Sequence, residues 1–292
     1  MSGALQGQIV AAFGRHYEVE LGDGTRITGY PLGKKSIYAC GDYVQLQRSS
    51  ADQAQIVRHL PRTSLLYRSD AYREKLIAAN ATQVVLVVAT DPSFSDDLLA
   101  RVLVAAESQE LRSVIVLNKI DLEANLPVAR ARLAVFADLG YRIVELSARG
   151  DAQALLPLLA GQLSVIVGQS GMGKSTLINA LVPGAAAVTR EISTVLDSGK
   201  HTTTHARLYR GTGAADWALI DCPGVQAFGL AHLGAEAITQ GFIELRPLLG
   251  HCRFRDCRHL AEPGCALKDA AAQGAIAPRR FEQFLRLTAS AR

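Results

Sequence analysis

In the first sixty residues apolar and polar positions alternate over short stretches: Gly7 to Phe13, His16 to Leu21, Thr25 to Tyr30 and Tyr43 to Arg48. Gly22-Asp23-Gly24 and Cys40-Gly41-Asp42 break the alternation. A period of two between turn residues predicts half-buried strands. Five or so such strands predict a small barrel, of the OB or the SH3-like kind. A polar connector, Pro61 to Asn80, leads to continuous apolar runs at Val84 to Thr90, Val114 to Asn118, Ile143 to Ser147, Leu163 to Gly168 and Trp217 to Asp221. Between them lie helical patterns at Asp96 to Ser108, Pro127 to Leu139 and Ser175 to Leu181. Buried parallel strands with crossover helices produce this alternation, so the middle is an α/β nucleotide-type domain. After Phe228 the pattern is mostly helical, ending at Arg279 to Leu287 with Phe281, Phe284 and Leu285 on one face.

Composition narrows the class. The chain has 292 residues, 49% of them hydrophobic, enough for two or three packed units. Its longest uncharged apolar runs are strand-sized, far short of the roughly 18–20 residues that span a bilayer. Met1 to Val10 lacks the basic and apolar regions of a secretory leader, so a cytoplasmic protein without a membrane partner is expected. Residues 1–62 hold 7 Lys/Arg against 5 Asp/Glu, residues 63–250 hold 16 against 18, and residues 251–292 hold 8 against 4. Basic ends around an acidic centre suit terminal modules that touch nucleic acid phosphate.

Chemistry enters with Gly168-Gln169-Ser170-Gly171-Met172-Gly173-Lys174-Ser175-Thr176, a phosphate loop between a predicted strand and a predicted helix. Its glycines let successive N–H groups face phosphate oxygens at a helix N-terminus. Lys174 is expected on the β- and γ-phosphates and Ser175 on Mg²⁺. Asp221-Cys222-Pro223-Gly224 ends a strand, with Asp221 able to reach Mg²⁺ through water and Gly224 able to sense the γ-phosphate. In Gly199-Lys200-His201-Thr202-Thr203-Thr204 one threonine is a further Mg²⁺ ligand; Thr203 is the choice among the three, and His201 is a candidate for positioning water. Val225 follows Gly224, so no side chain stands there that could orient an attacking water, which predicts slow intrinsic hydrolysis.

A second motif selects the base. Asn118-Lys119-Ile120-Asp121 follows a strand, and the Asp121 carboxylate can accept from both N1–H and N2–H₂ of guanine, a pair that adenine lacks. Asn118 is expected to address N7 and the loop itself, and the Lys119 stem to pack along the base. Ser147-Ala148-Arg149, at another strand end, is expected to offer the Ala148 N–H to guanine O6. Near the C-terminus Cys252-x₄-Cys257-x-His259-x₅-Cys265 supplies three thiolates and one imidazole, which close a tetrahedral Zn²⁺ site and leave no open position, so its role is structural. Arg253, Arg255 and Arg258 lie among these ligands, a composition suited to phosphate in folded RNA.

The base motifs precede the phosphate motifs, the reverse of ordinary small GTPases and the order of a circularly permuted one. Here the sequence resembles the bacterial small-ribosomal-subunit-dependent GTPase family called RsgA or YjeQ. The likeness extends to Ala78-Ala79-Asn80, to Gly168 through Thr176, to Gly199 through Thr204, to Phe228-Gly229-Leu230 and to the Cys/His spacing. It implies an OB-fold barrel over 1–62, a circularly permuted P-loop GTPase domain over 63–230 and a mostly helical zinc domain over 231–292. It further implies a monomer that binds GTP and GDP and docks on the small (30S) subunit and its rRNA through barrel and zinc domain. Hydrolysis stimulated by the ribosome and coupled to release late in subunit maturation is the implied activity. The loop Tyr30 to Ser36 carries only Lys34 and Lys35, fewer basic side chains than the family's usual form. A nucleotide-gated RNA-binding factor without turnover, and a permuted GTPase with another partner, are the competing readings.

Overall fold

Five short strands open the chain: β1 (Leu5–Ala12), β2 (Tyr17–Leu21), β3 (Arg26–Pro31), β4 (Tyr43–Arg48) and β5 (Gln53–His59). The first hairpin turns where Asp23 Oδ1 accepts from the Thr25 N–H at 2.8 Å, a side chain mimicking a backbone turn. The strands lie in the order β1-β2-β3-β5-β4, and β1 pairs back onto β4 to close the barrel, with β3 and β5 parallel. This five-stranded closure is the OB-like alternative of the two expected. Ile9, Tyr17, Val19, Ile27, Val44 and Ile56 fill the interior. The computed structural model describes residues 5–33, 37–69, 74–185, 205–211, 215–222 and 228–290.

The expected polar connector is in fact ordered as a hairpin, β6 (Leu65–Ser69) and β7 (Glu74–Ala79). Its own Leu66, Ile77, Ala78 and Ala79 are buried, and these few apolar side chains are outweighed by charged neighbours in the sequence pattern. β8 (Gln83–Ala89), β9 (Arg112–Asn118), β10 (Arg142–Glu145), β11 (Leu163–Val167) and β13 (Ala218–Asp221) form the expected parallel sheet. All seven residues of β8 are buried, as expected of a strand covered on both faces. α1 (Asp96–Glu107), α2 (Leu126–Asp138), α3 (Leu156–Leu159) and α4 (Lys174–Leu181) lie between them in sequence. The Ser95 hydroxyl caps α1 by accepting from Leu98 N at 3.2 Å, and Asp96 and Asp97 follow in its first turn.

An additional strand, β12 (Ala206–Arg210), runs antiparallel to β13 and carries a single buried side chain, Leu208, too little apolar pattern to be read from sequence. On its other side β12 pairs with β1 of the barrel, Ala11 opposite Arg207 and Ala12 opposite Ala206. Barrel and nucleotide domain are therefore one continuous sheet of 11 strands.

Beyond β13 come α5 (Ala235–Gly241), α6 (Ala266–Ala272) and α7 (Pro278–Ala289). α7 begins with Pro at its first turn, where a missing N–H costs nothing. Its buried face centres on Arg280, Gln283, Phe284, Leu287 and Thr288, while Phe281 and Leu285 flank it. Arg280 is 1% exposed because Glu244 accepts from its Nε at 2.7 Å and the rings of Phe242 and Phe136 lie 4.5 and 5.2 Å from its guanidinium carbon.

Candidate functional site

The neighbouring parallel strands β8 and β11 send the chain in opposite directions, β8 on toward β9 and β10, β11 on toward β12 and β13. A crevice forms at the carboxyl ends of strands that diverge in this way. The loops after β8, β9, β10 and β11 and the last residue of β13 all sit at that edge.

The phosphate loop leaves β11 at Gly168, whose backbone passes so close to β8 that a Cβ would lie 2.3 Å from Val87 O. It ends at Gly173, left-handed at φ 91°, where a Cβ would meet Asn118 Nδ2 at 2.2 Å. Both positions require glycine. Ser175 and Thr176 are exposed at the start of α4, whereas Lys174 is buried. The Lys174 ammonium donates to Gly168 O at 2.7 Å and Gln169 O at 2.8 Å, along the inside of the loop. Burial lowers its pKa, opposed by the Asp221 charge. Asp221 is itself 4% exposed, and burial pushes its pKa up to about 6 against the pull of Lys174. Gln169 Oε1 accepts from Ser95 N at 2.8 Å, tying the loop to the first turn of α1. Ser170 and Gly171 are exposed at the loop's crest, with Met172 buried beneath.

Asn118 joins the two halves of the site. It is 1% exposed; its Nδ2 donates to Met172 O at 2.8 Å and its Oδ1 accepts from Ala148 N at 2.9 Å. The Ala148 N–H, expected on guanine O6, is thus also within reach of Asn118 Oδ1. Asn118 Nδ2 keeps a second hydrogen, as expected for a contact with N7. Lys119 turns the chain at φ 61°, fixed by Thr90 Oγ1 donating to Lys119 O at 2.8 Å and by its own Nζ donating to Asp91 O at 2.6 Å. Ile120 is half-buried and Asp121 projects outward. A hydrogen bond with the Ser147 side chain, and then the charges of Arg149 and Lys119, hold the Asp121 carboxyl below the usual range. It is thus an ionised acceptor at neutral pH.

Cys252, Cys257, His259 and Cys265 converge, with all four ligand atoms within 4.8 Å of one another. His259 Nδ1 lies 3.5 Å from the sulfurs of both Cys252 and Cys265, which are 4.0 Å apart. Bonds of about 2.0–2.3 Å to a tetrahedral Zn²⁺ demand ligand separations of about 3.5–3.8 Å, so the donor set fits the ion. Glu262, between the ligands, accepts from its own backbone N–H and from Arg258 N, Leu260 N and Ala261 N, which fixes the loop and lowers its carboxyl to about 2.

The structure thus brings Asn118, Ala148, Met172 and Gly173 together at one crevice with Lys174 and Asp221, and it assembles the four Cys/His residues. His201, Thr203 and Gly224 lie outside the described residues. Sequence reasoning missed the Gln169–Ser95 and Thr90–Lys119 links, whose polar side chains carry no motif.

The RsgA GTPase family model matches residues 59–231. The small ribosomal subunit biogenesis GTPase RsgA of Nitrosospira multiformis is 54% identical over 286 residues, covering 98% of this chain and 91% of that protein. Its counterpart in Burkholderia pseudomallei strain K96243 is 54% identical over 287 residues, with 97% and 91% covered. The crystal structure of YjeQ from Thermotoga maritima shares the fold at a TM-score of 0.73 and 30% identity, covering 98% of each chain. YloQ, described as a circularly permuted GTPase, shares the fold at a TM-score of 0.71 and 23% identity, covering 99% of this chain and 96% of that one. With a permuted GTPase sheet, the phosphate and base motifs at one edge and relatives matched nearly end to end, the chain belongs to the RsgA GTPase family.

Proposed function

We propose that this protein hydrolyses GTP in the service of small ribosomal subunit biogenesis, binding the subunit, turning over faster when docked and then leaving. The observation that carries the nucleotide half is the Asn118 bridge, which ties the phosphate loop to the Ser147–Ala148 loop at one edge of the sheet. Family membership and the names of relatives matched over 98% and 97% of the chain support the ribosomal half.

In this reading Gly168 to Thr176 wrap the phosphates, Asn118 to Asp121 with Ser147 and Ala148 hold guanine, and Gly224 senses the γ-phosphate. Asp121 excludes adenine because a carboxylate facing no donors loses both hydrogen bonds. Ser175 and Asp221 would hold Mg²⁺, an exposed hydroxyl at a helix N-terminus and a buried carboxylate, with Thr203 joining them and His201 aligning water. The ion supplies neutralisation of the charge spread over the β- and γ-phosphates. Lys174 must exchange its two carbonyl partners for phosphate oxygens, a gain in charge complementarity.

Zn²⁺ would be held by Cys252, Cys257, His259 and Cys265 as a structural ion. Held there, the ion would fix a knuckle whose exposed Arg253, Arg255 and Arg258 suit rRNA phosphate. We assign three units, 1–62, 63–230 and 231–292, acting as a cytoplasmic monomer. No helix among the described residues is long and apolar enough to cross a membrane.

The test is phosphate release from GTP, with ATP as control, by the protein alone and with purified small or large ribosomal subunits. Stimulation confined to GTP and to small subunits is expected. GTP turnover that no subunit alters would refute the ribosomal half and leave the base assignment standing.

A further inference from the structure

β12 and β13 place Arg207 directly opposite Asp221, and the same row continues through Ala11 of β1 to Glu18 of β2. Directly paired residues of an antiparallel ladder have Cβ atoms about 4.5–5.5 Å apart, on the same face of the sheet, and opposite charges there attract. An arginine facing a buried carboxylate at that separation is expected to pair with it. It does not. Arg207 Nη2 donates to Glu18 Oε2 at 3.0 Å, and its guanidinium carbon lies 5.8 Å from the ring centroid of Phe13. The cation that acts on Asp221 is Lys174.

Glu18 is itself held firmly. Its Oε1 accepts from Arg26 Nη1 at 2.9 Å, and Arg26 is shared with Glu20 at 3.1 Å. Glu20 in turn accepts from Arg210 Nε at 2.6 Å, and Arg210 also donates to Gln8 Oε1 at 2.9 Å. The barrel thus presents an acidic row to the two arginines of the nucleotide domain's outermost strand. The backbone seam between the bodies is only two residue pairs long, so these side chains fix the alignment.

We propose that Glu18 is a positioning residue for the metal-binding carboxylate: it draws Arg207 toward the barrel and keeps it off Asp221. The proposal rests on the reading of Asp221 as a Mg²⁺ ligand given above. A guanidinium bonded to Asp221 would occupy a carboxylate oxygen and cancel the charge that attracts a divalent cation. Glu18 therefore acts by removing a competitor, through Arg207 and without touching the ion.

This predicts an unusual order of variants. In full-length protein saturated with GDP, Mn²⁺ binding is measured by electron paramagnetic resonance, with Mg²⁺ as competitor. Glu18→Gln should weaken Mn²⁺ binding about three- to tenfold, the equilibrium weight of a cross-strand ion pair in a partly buried setting. Adding Arg207→Ala to Glu18→Gln should restore binding to within about twofold of wild type, because the competitor is gone. Arg207→Ala alone should bind Mn²⁺ at least as well as wild type. A residue serving only to hold the seam together would give the opposite order, the double variant being worst. Melting temperatures should stay close to wild type throughout, because partly exposed pairs contribute little to stability.

Unchanged Mn²⁺ binding in Glu18→Gln, or a double variant no better than that single, overturns the proposal. Asp221→Asn separates this from the reading beneath it. If Asp221→Asn weakens Mn²⁺ binding while Glu18→Gln does not, only the positioning role falls. If Asp221→Asn binds Mn²⁺ as wild type does, the metal assignment falls and the positioning role with it.

Discussion

Replacing Asn118 by alanine probes the joint between the two halves of the nucleotide pocket. The substitution deletes a donor to Met172 O and an acceptor for Ala148 N, made at 2.8 and 2.9 Å. Met172 and Ala148 are 2% and 5% exposed, so water does not readily replace the lost partner. Each buried group left without a partner costs about 1–3 kcal/mol, giving a loss of about 2–6 kcal/mol on unfolding in urea. Against a typical total of about 5–15 kcal/mol this is a large but survivable fraction. The same cut frees the phosphate loop from the base loop, so GDP and GTP should both dissociate faster, by about tenfold or more, in a stopped-flow assay with a fluorescent nucleotide. Asn118→Asp keeps the acceptor for Ala148 but sets a carboxylate oxygen against Met172 O, so it should match alanine in nucleotide release while losing less at Ala148. An Asn118→Ala protein with its urea midpoint and nucleotide dissociation rate both at wild-type values would refute the bridge.

Other expectations follow from single features. Asp221 has a folded-state pKa raised to about 6, so between its ordinary value near 3.8 and 6 it is protonated in the folded protein and ionised in the unfolded chain. A divalent ion at this carboxylate must displace that proton, so Mg²⁺ affinity should fall toward tenfold per pH unit below about 6 and level off above it; equal affinity at pH 5 and 7 by competition against Mn²⁺ would contradict this. Arg280→Met strands Glu244, whose side chain is 6% exposed, and should cost about 3–5 kcal/mol in urea unfolding, whereas Arg280→Met with Glu244→Leu should recover most of it. Elemental analysis should find one zinc per chain, and Cys257→Ser or chelation should open residues 250–272 to protease while GDP binding persists. Asp121→Asn should lower the preference for GTP over ATP in a binding competition; an unchanged ratio removes Asp121 from base selection.

The sequence was most informative where one physical constraint acts alone. β8 and β11 are buried on both faces and read as unbroken apolar runs; Gly168, Gly173 and the Cys/His spacing are forced by close approach or by ligand geometry, and each stands where expected. β12 was not legible, because an outer strand with one buried residue is held by neighbours the local pattern does not mention. The hairpin β6–β7 was hidden for a related reason: its buried side chains are few and its partners are distant in sequence. Arg280 shows a third kind of gap, since an arginine on a helix predicts solvent until Glu244 and two aromatic rings are known to surround it. The Asn118–Ala148 link was hidden as well, because it joins the ends of two neighbouring strands, β9 and β10, that lie thirty residues apart in the chain.

The joining of β1 to β12 has a consequence for solubility. A mixed sheet ordinarily exposes two rims, each able to recruit a stray strand from another molecule. Here one rim is consumed by the barrel, which closes on itself through β1 and β4 and so ends the sheet without an open ladder. Among the described residues the rim left in this sheet is β10, four residues long, with Arg142 exposed at its start and Glu145 at its end bound by Arg130 at 2.6 Å. A short, charged border of this kind discourages edge-to-edge aggregation. Opening the seam between β1 and β12 would uncover a second border, five residues long and no longer shielded, so variants that loosen it should aggregate before they unfold.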